Sequence, residues 1–116
     1  MPKDDWLYVE HMLEMSQKAL NAVKNKTKRV YDRDELLRLA LIHIVQVIGE
    51  AARQISPEFQ EQNPQVPWRD IIGMRHRIVH DYLRVDEDMV WQVVTSDLLP
   101  LSNELEKMLS KNKPLS

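Results

Sequence analysis

The sequence contains no cysteine, only two glycines, a single phenylalanine and 6% aromatic residues in 116 positions. The missing cysteine excludes disulfides, thiolate nucleophiles and Cys-ligated zinc. Scarce glycine and aromatics argue against a turn-rich all-β domain, and the abundance of Leu, Ala, Met, Glu, Lys and Arg favours helices. The opening Met1-Pro2-Lys3-Asp4-Asp5 carries no basic stretch followed by an apolar one, so no secretory signal is expected. A long hydrophobic run is missing as well. The greasiest segment, Leu36 to Ile48, is interrupted by Arg38, His43 and Gln46 and is too short to span a bilayer. A cytoplasmic protein with no membrane partner is the resulting expectation. An excess of positive charge is also lacking, since the formal net charge is −2. That value argues against coating nucleic acid through bulk positive charge.

What is present is an ordinary globular balance of 43% hydrophobic and 29% charged residues, enough for one domain and not two. Residues 1–110 are expected to form one domain, followed by a frayed tail at 111–116. Four helical stretches can be read. The first runs from Asp4 or Asp5 to Lys24, with Trp6, Val9, Leu13, Leu20 and Val23 on its stripe and Ser16 at one stripe position. The polar run Lys24 to Arg29 reads as its solvated end. The second opens at Asp32, where Glu35 three residues on resembles a capping box, and carries Leu37, Leu41, Ile44, Ile48, Ala51 or Ala52, and Ile55. Ser56-Pro57 signals a short further turn of helix, and Asn63 to Pro67 the clearest loop. The third starts at Pro67, bears Trp68, Ile71, Ile72, Ile78 and Val79, and should fray between His80 and Tyr82. The fourth starts at Asp86 and runs through Val90, Trp91, Val94, Leu98, Leu101 and Leu105, with a kink or break at Pro100. The fold class that follows is all-α, an antiparallel bundle of four to five helices with short loops.

Gly49 and Gly73 both lie inside helical patterns, where glycine costs about 1 kcal/mol relative to alanine. Close helix packing explains both; at Gly73 the alternative is close approach of a partner backbone or phosphate. Trp6, Trp68 and Trp91 sit on apolar stripes and read as core or interface anchors. His11 and His43 are isolated.

The segment from Arg69 to Arg84 differs from the rest. It holds Arg69, Arg75, Arg77 and Arg84 with His76 and His80, against only Asp70 and Asp81. Guanidinium forks suit phosphate oxygens, and imidazole exchanges protons near neutrality. Together they supply what phosphodiester cleavage needs without a metal: a base for the attacking hydroxyl, an acid for the leaving oxygen, and charge stabilisation at phosphorus. On a continuous helix Arg75 and His80 diverge by about 140°. They share a site only if the helix loosens near His80 or if two copies build the site across a two-fold axis. The competing readings are a solvated Arg/His face, and a metal held by His76 and His80, which lie about 40° apart on a helix.

Gly73-Met74-Arg75-His76 followed by His80-Asp81-Tyr82 resembles the R-x4-H-x-Y signature of HEPN-domain toxins of the HepT-like type. Ile48-Gly49-Glu50-Ala51-Ala52, Pro67-Trp68-Arg69, Val85-Asp86 and Val90-Trp91 are similar to flanking blocks of that family in the same order. The resemblance implies a small helical bundle that acts as a homodimer and cleaves RNA without a metal or other cofactor. It implies that Arg75 steadies the scissile phosphate, that His80 is the general acid/base, and that His76, with Arg77 beside it, binds or orients the substrate. It further implies a minimal nucleotidyltransferase antitoxin as partner, transferring AMP to Tyr82. A second function class stays open, a non-catalytic helical module that binds a nucleotidyltransferase and presents its substrate. Growth arrest on expression without the partner would separate the two.

Overall fold

The computed structural model describes residues 4–81 and 84–112 and, of His80, the backbone alone. The first helix, α1 (Asp5–Val23), starts where the Asp4 carboxylate accepts from the amides of Trp6 and Leu7. Its buried line is Val9, Met12, Ser16 and Ala19. The residues expected on the stripe, Trp6, Leu13, Leu20 and Val23, are only partly buried around it. Asn25 at φ 61° turns the chain, a left-handed position that asparagine tolerates.

The run expected to be a solvated helix end instead starts a separate helix, α2 (Lys28–Arg33), because the Thr27 hydroxyl caps the amide of Val30 and Tyr31 is wholly buried. As a result the next helix, α3 (Glu35–Gln54), opens at Asp34 rather than Asp32. Asp34 ends α2 and accepts from the amide of Leu37. The core face of α3 is Leu37, Leu41, Val45, Ile48 and Ala52, with Val45 at the centre in place of the expected Ile44. Ser56 caps α4 (Pro57–Gln62) as its sequence suggests. The Asp5 carboxylate accepts from both the amide and the hydroxyl of Ser56, at 2.8 Å each. This ties the start of α1 to the end of α3 and fixes the two helices as antiparallel neighbours.

The expected third helix is two. A break at Gly73 separates α5 (Trp68–Ile72) from α6 (Met74–Ile78), and a short antiparallel pair, β1 (Val79–Asp81) and β2 (Arg84–Val85), follows. Asp86 then caps α7 (Glu87–Gln92). One π-helical turn, Val93–Asp97, leads into α8 (Leu98–Asn112). Pro100 does not break the helix. It sits in the first turn of α8, where its ring would press on the carbonyl of Ser96, and the widened turn just upstream makes room. Lys111 and Asn112, assigned to the tail by sequence, complete α8; residues 113–116 lie outside the described part. The architecture is an all-α bundle in which α1 packs against α3 and α8, with the paired strands as a small appendage. Trp6 meets Phe59 edge-on at 4.9 Å and buried Trp68 follows at 6.3 Å, so both tryptophans are core anchors as expected. No described helix is long and apolar enough to cross a membrane.

Candidate active site

The basic segment is held against α3 by one close backbone approach. At Gly49 an added Cβ would lie 3.1 Å from the carbonyl oxygen of Ile71, so α5 sits against α3 at a distance only glycine permits without displacement. At Gly73 the backbone closes α5 with a hydrogen bond to the Arg69 carbonyl at 2.9 Å, and an added Cβ would stand 3.1 Å from that same oxygen. Gly73, at φ −80° and ψ 0°, then stands between the end of α5 at Ile72 and the start of α6 at Met74. Met74 and Ile78, one turn apart, are buried under α6. The three residues between them, Arg75, His76 and Arg77, are all exposed. Arg77 makes only a weak contact with the sulfur of Met89, at 3.6 Å.

The helix stops at Ile78, whose carbonyl accepts from the amide of Asp86 at 2.6 Å, and Val79 is already extended at φ −111° and ψ 107°. Val79 pairs with Val85 and Asp81 with Arg84, and the Arg84 guanidinium donates to the Asp81 carboxylate at 2.8 Å. His80 thus lies on an extended strand while Arg75 lies on a helix. The 140° divergence of a continuous helix does not govern the pair, and neither does the helical spacing that would have made His76 and His80 joint metal ligands. Among the described residues there is no group of three or more His, Asp or Glu side chains arranged to hold a metal ion. Tyr82 lies outside the described residues.

A polar network absent from the sequence reading supports this segment from behind. Arg38 on α3 pairs with Glu87 at the start of α7 at 2.6 Å and also donates to the carbonyls of Tyr31 and Asp32. Tyr31 donates its hydroxyl to the Glu87 carbonyl at 2.7 Å and packs on Trp91 at 4.9 Å. Burial foremost, then the nearby Glu87 charge, pushes its phenol up to about 12. Lys28 lies between Asp32 at 2.8 Å and Asp88 at 2.7 Å, and the hydrogen bonds to Asp32 and then Asp88 raise its ammonium well above the usual range. These contacts fasten α2 and α3 to the start of α7, the element that follows β2. No linear signal marks them, because Tyr31 and Glu87 are 56 residues apart.

A helical bundle that presents arginine and histidine from a short helix running straight into a second histidine has the build of a HEPN-type domain. Residues 12–108 match the family model described as Ribonuclease HepT-like, and the chain belongs to that family. It is 29% identical over 106 residues to "Putative RNase TTE0752" of Caldanaerobacter subterraneus subsp. tengcongensis, covering 91% of this chain and 95% of that one. It is 30% identical over 100 residues to "Probable ribonuclease HepT" of Thermococcus cleftensis, covering 83% and 91% respectively. A Methanocaldococcus jannaschii protein named "Gamma-glutamylcyclotransferase and putative RNase MJ0434" is 33% identical over 116 residues, covering 97% of this chain and 52% of that protein. No solved structure matches significantly.

Proposed function

We propose that this protein is a metal-independent endoribonuclease and the toxin of a toxin–antitoxin pair. The observation that carries the reading is the exposed Arg75-His76-Arg77 turn ending at Ile78 and passing directly into the strand of His80, in a chain of the HepT-like ribonuclease family. Arg75 holds a non-bridging oxygen of the scissile phosphate, and His76 and Arg77 orient the RNA backbone. Two copies of the chain, related by a two-fold axis, bring two copies of His80 to one groove. The neutral imidazole takes the proton of the ribose 2′-hydroxyl, whose oxygen attacks phosphorus. The protonated imidazole gives its proton to the departing 5′-oxygen. The products are a 2′,3′-cyclic phosphate and a 5′-hydroxyl. The partner antitoxin is a minimal nucleotidyltransferase that transfers AMP to Tyr82. The added phosphate occupies the anion site beside Arg75 and His80 and switches the enzyme off.

The test incubates purified protein with total RNA in EDTA, beside Arg75→Ala and His80→Ala. Wild type should cleave and leave cyclic-phosphate ends, and both variants should lose at least about 100-fold in rate. Equal cleavage by wild type and His80→Ala, or none by either, rejects the reading. Intact-mass measurement after co-expression with the nucleotidyltransferase should show AMP additions that vanish in Tyr82→Phe.

A further inference from the structure

A groove of about 420 Å³ lies beside the paired strands, between the first turns of α3 and the segment from β2 into α7. Its apolar lining is Leu39, Ile42 and Val85, and its polar lining is Glu35, Arg38, Arg84 and Glu87. Leu39 is 56% exposed, a large apolar side chain left open among the described residues. Val85 lies on the strand directly opposite that of His80, since it pairs with Val79. The groove therefore lies against the strand pair whose other strand carries His80.

The charges divide into engaged and available ones. Arg38 and Glu87 neutralise each other at 2.6 Å. Arg84 is bound to Asp81 through Nε, yet its side chain is 75% exposed, and a guanidinium plane stacks on a nucleobase. Glu35 makes no ion pair among the described residues, so its two carboxylate oxygens remain open to an incoming donor. A phosphate would gain little in a groove whose formal charges cancel. A flat apolar body with hydrogen-bond donors on one edge fits better.

We propose that this groove is a nucleobase slot that seats a guanine next to the scissile phosphate. The proposal rests on the ribonuclease reading for its setting. Guanine offers N1–H and N2–H on one edge, a pair that a carboxylate accepts in parallel. Adenine and cytosine place a ring-nitrogen acceptor beside their amino group, which a carboxylate repels. Uracil has one N–H between two carbonyls. Leu39, Ile42 and Val85 supply the platform, and Glu35 supplies the discrimination.

The experiment has two arms. In the first, RNA of randomised sequence is cleaved and the ends are sequenced for wild type, Glu35→Gln and Leu39→Ser. Both sites are exposed, so folding is not at risk. Wild type should favour guanine beside the cut by about fivefold or more, and Glu35→Gln, with one acceptor and one donor, should drop that preference below about twofold. Leu39→Ser should reduce it as well. Cleavage with no guanine preference, or with one that neither variant changes, overturns the slot and leaves the ribonuclease reading standing. If wild type cleaves no RNA, that reading fails and the second arm decides. GMP and UMP are titrated into isotopically labelled protein, followed at the amides of Leu39, Ile42 and Val85. Shifts there with GMP and not with UMP support the slot, and equal or absent shifts overturn it.

Discussion

Replacing Tyr31 by phenylalanine should lower stability at neutral pH and raise it in strong alkali. Tyr31 is completely buried, donates to the Glu87 carbonyl at 2.7 Å and packs on Trp91. Tyr31→Phe keeps the ring contact and removes one hydrogen bond, a loss of about 1 kcal/mol. The pH dependence runs the other way. Because burial holds the folded phenol up to about 12 against an ordinary value near 10, the folded state binds its proton more tightly than the unfolded chain does. That contribution is fully present below about pH 10 and is lost as pH rises toward 12. At pH 11 the linkage relation gives a loss of about 1.4 kcal/mol for the wild type, and none for the variant, which has nothing to ionise there. The two stability curves should therefore cross between about pH 10 and 11. Lys28 also deprotonates in strong alkali, but it does so in both proteins and cancels in the difference. Urea denaturation followed by far-UV circular dichroism at pH 8 and pH 11 measures both gaps. A variant as stable as wild type at pH 8, or a gap of the same size and sign at pH 11, would refute the reasoning.

Ser16 is buried with no partner for its hydroxyl among the described residues, so Ser16→Ala should raise stability by about 1 kcal/mol in the same assay. Gly49→Ala adds about 1 kcal/mol of helix propensity, yet it drives a Cβ to within 3.1 Å of the Ile71 carbonyl. That atom is backbone and can yield only by moving α5, so the net result should be destabilisation by about 1 kcal/mol, with shifted amide resonances along α5. Arg75 is exposed on α6, so Arg75→Lys should leave the melting temperature unchanged while cutting RNA cleavage at least about tenfold, because an ammonium cannot grip phosphate with a planar fork.

The helix starts at Asp4, Ser56 and Asp86 were legible because each is a local event: a side-chain oxygen meets an amide two or three residues on. The core tryptophans and the close approach at Gly49 were legible from periodicity. The separate helix at Lys28–Arg33 was not, because Lys24 to Arg29 has the composition of a helix end. What converts it is the burial of Tyr31 against Glu87 and Trp91, both more than fifty residues away. The break at Gly73 was missed for a related reason: its neighbours keep helical apolar spacing on both sides, so periodicity alone does not separate α5 from α6.

The sequence by itself determined the class of the protein. Its apolar periodicity makes a helical bundle, and its order of arginine, histidine and flanking blocks marks the HepT-like family. Tertiary structure decided how the basic segment is presented. Met74 and Ile78 are drawn into the core, and the Asp86 amide closes on the Ile78 carbonyl. Between them they leave Arg75, His76 and Arg77 on one exposed turn and put His80 on a strand. Side-chain spacing along a chain fixes which residues can lie on one face. Where that face ends depends on backbone groups finding partners from distant segments, and those partners exist only in the folded molecule.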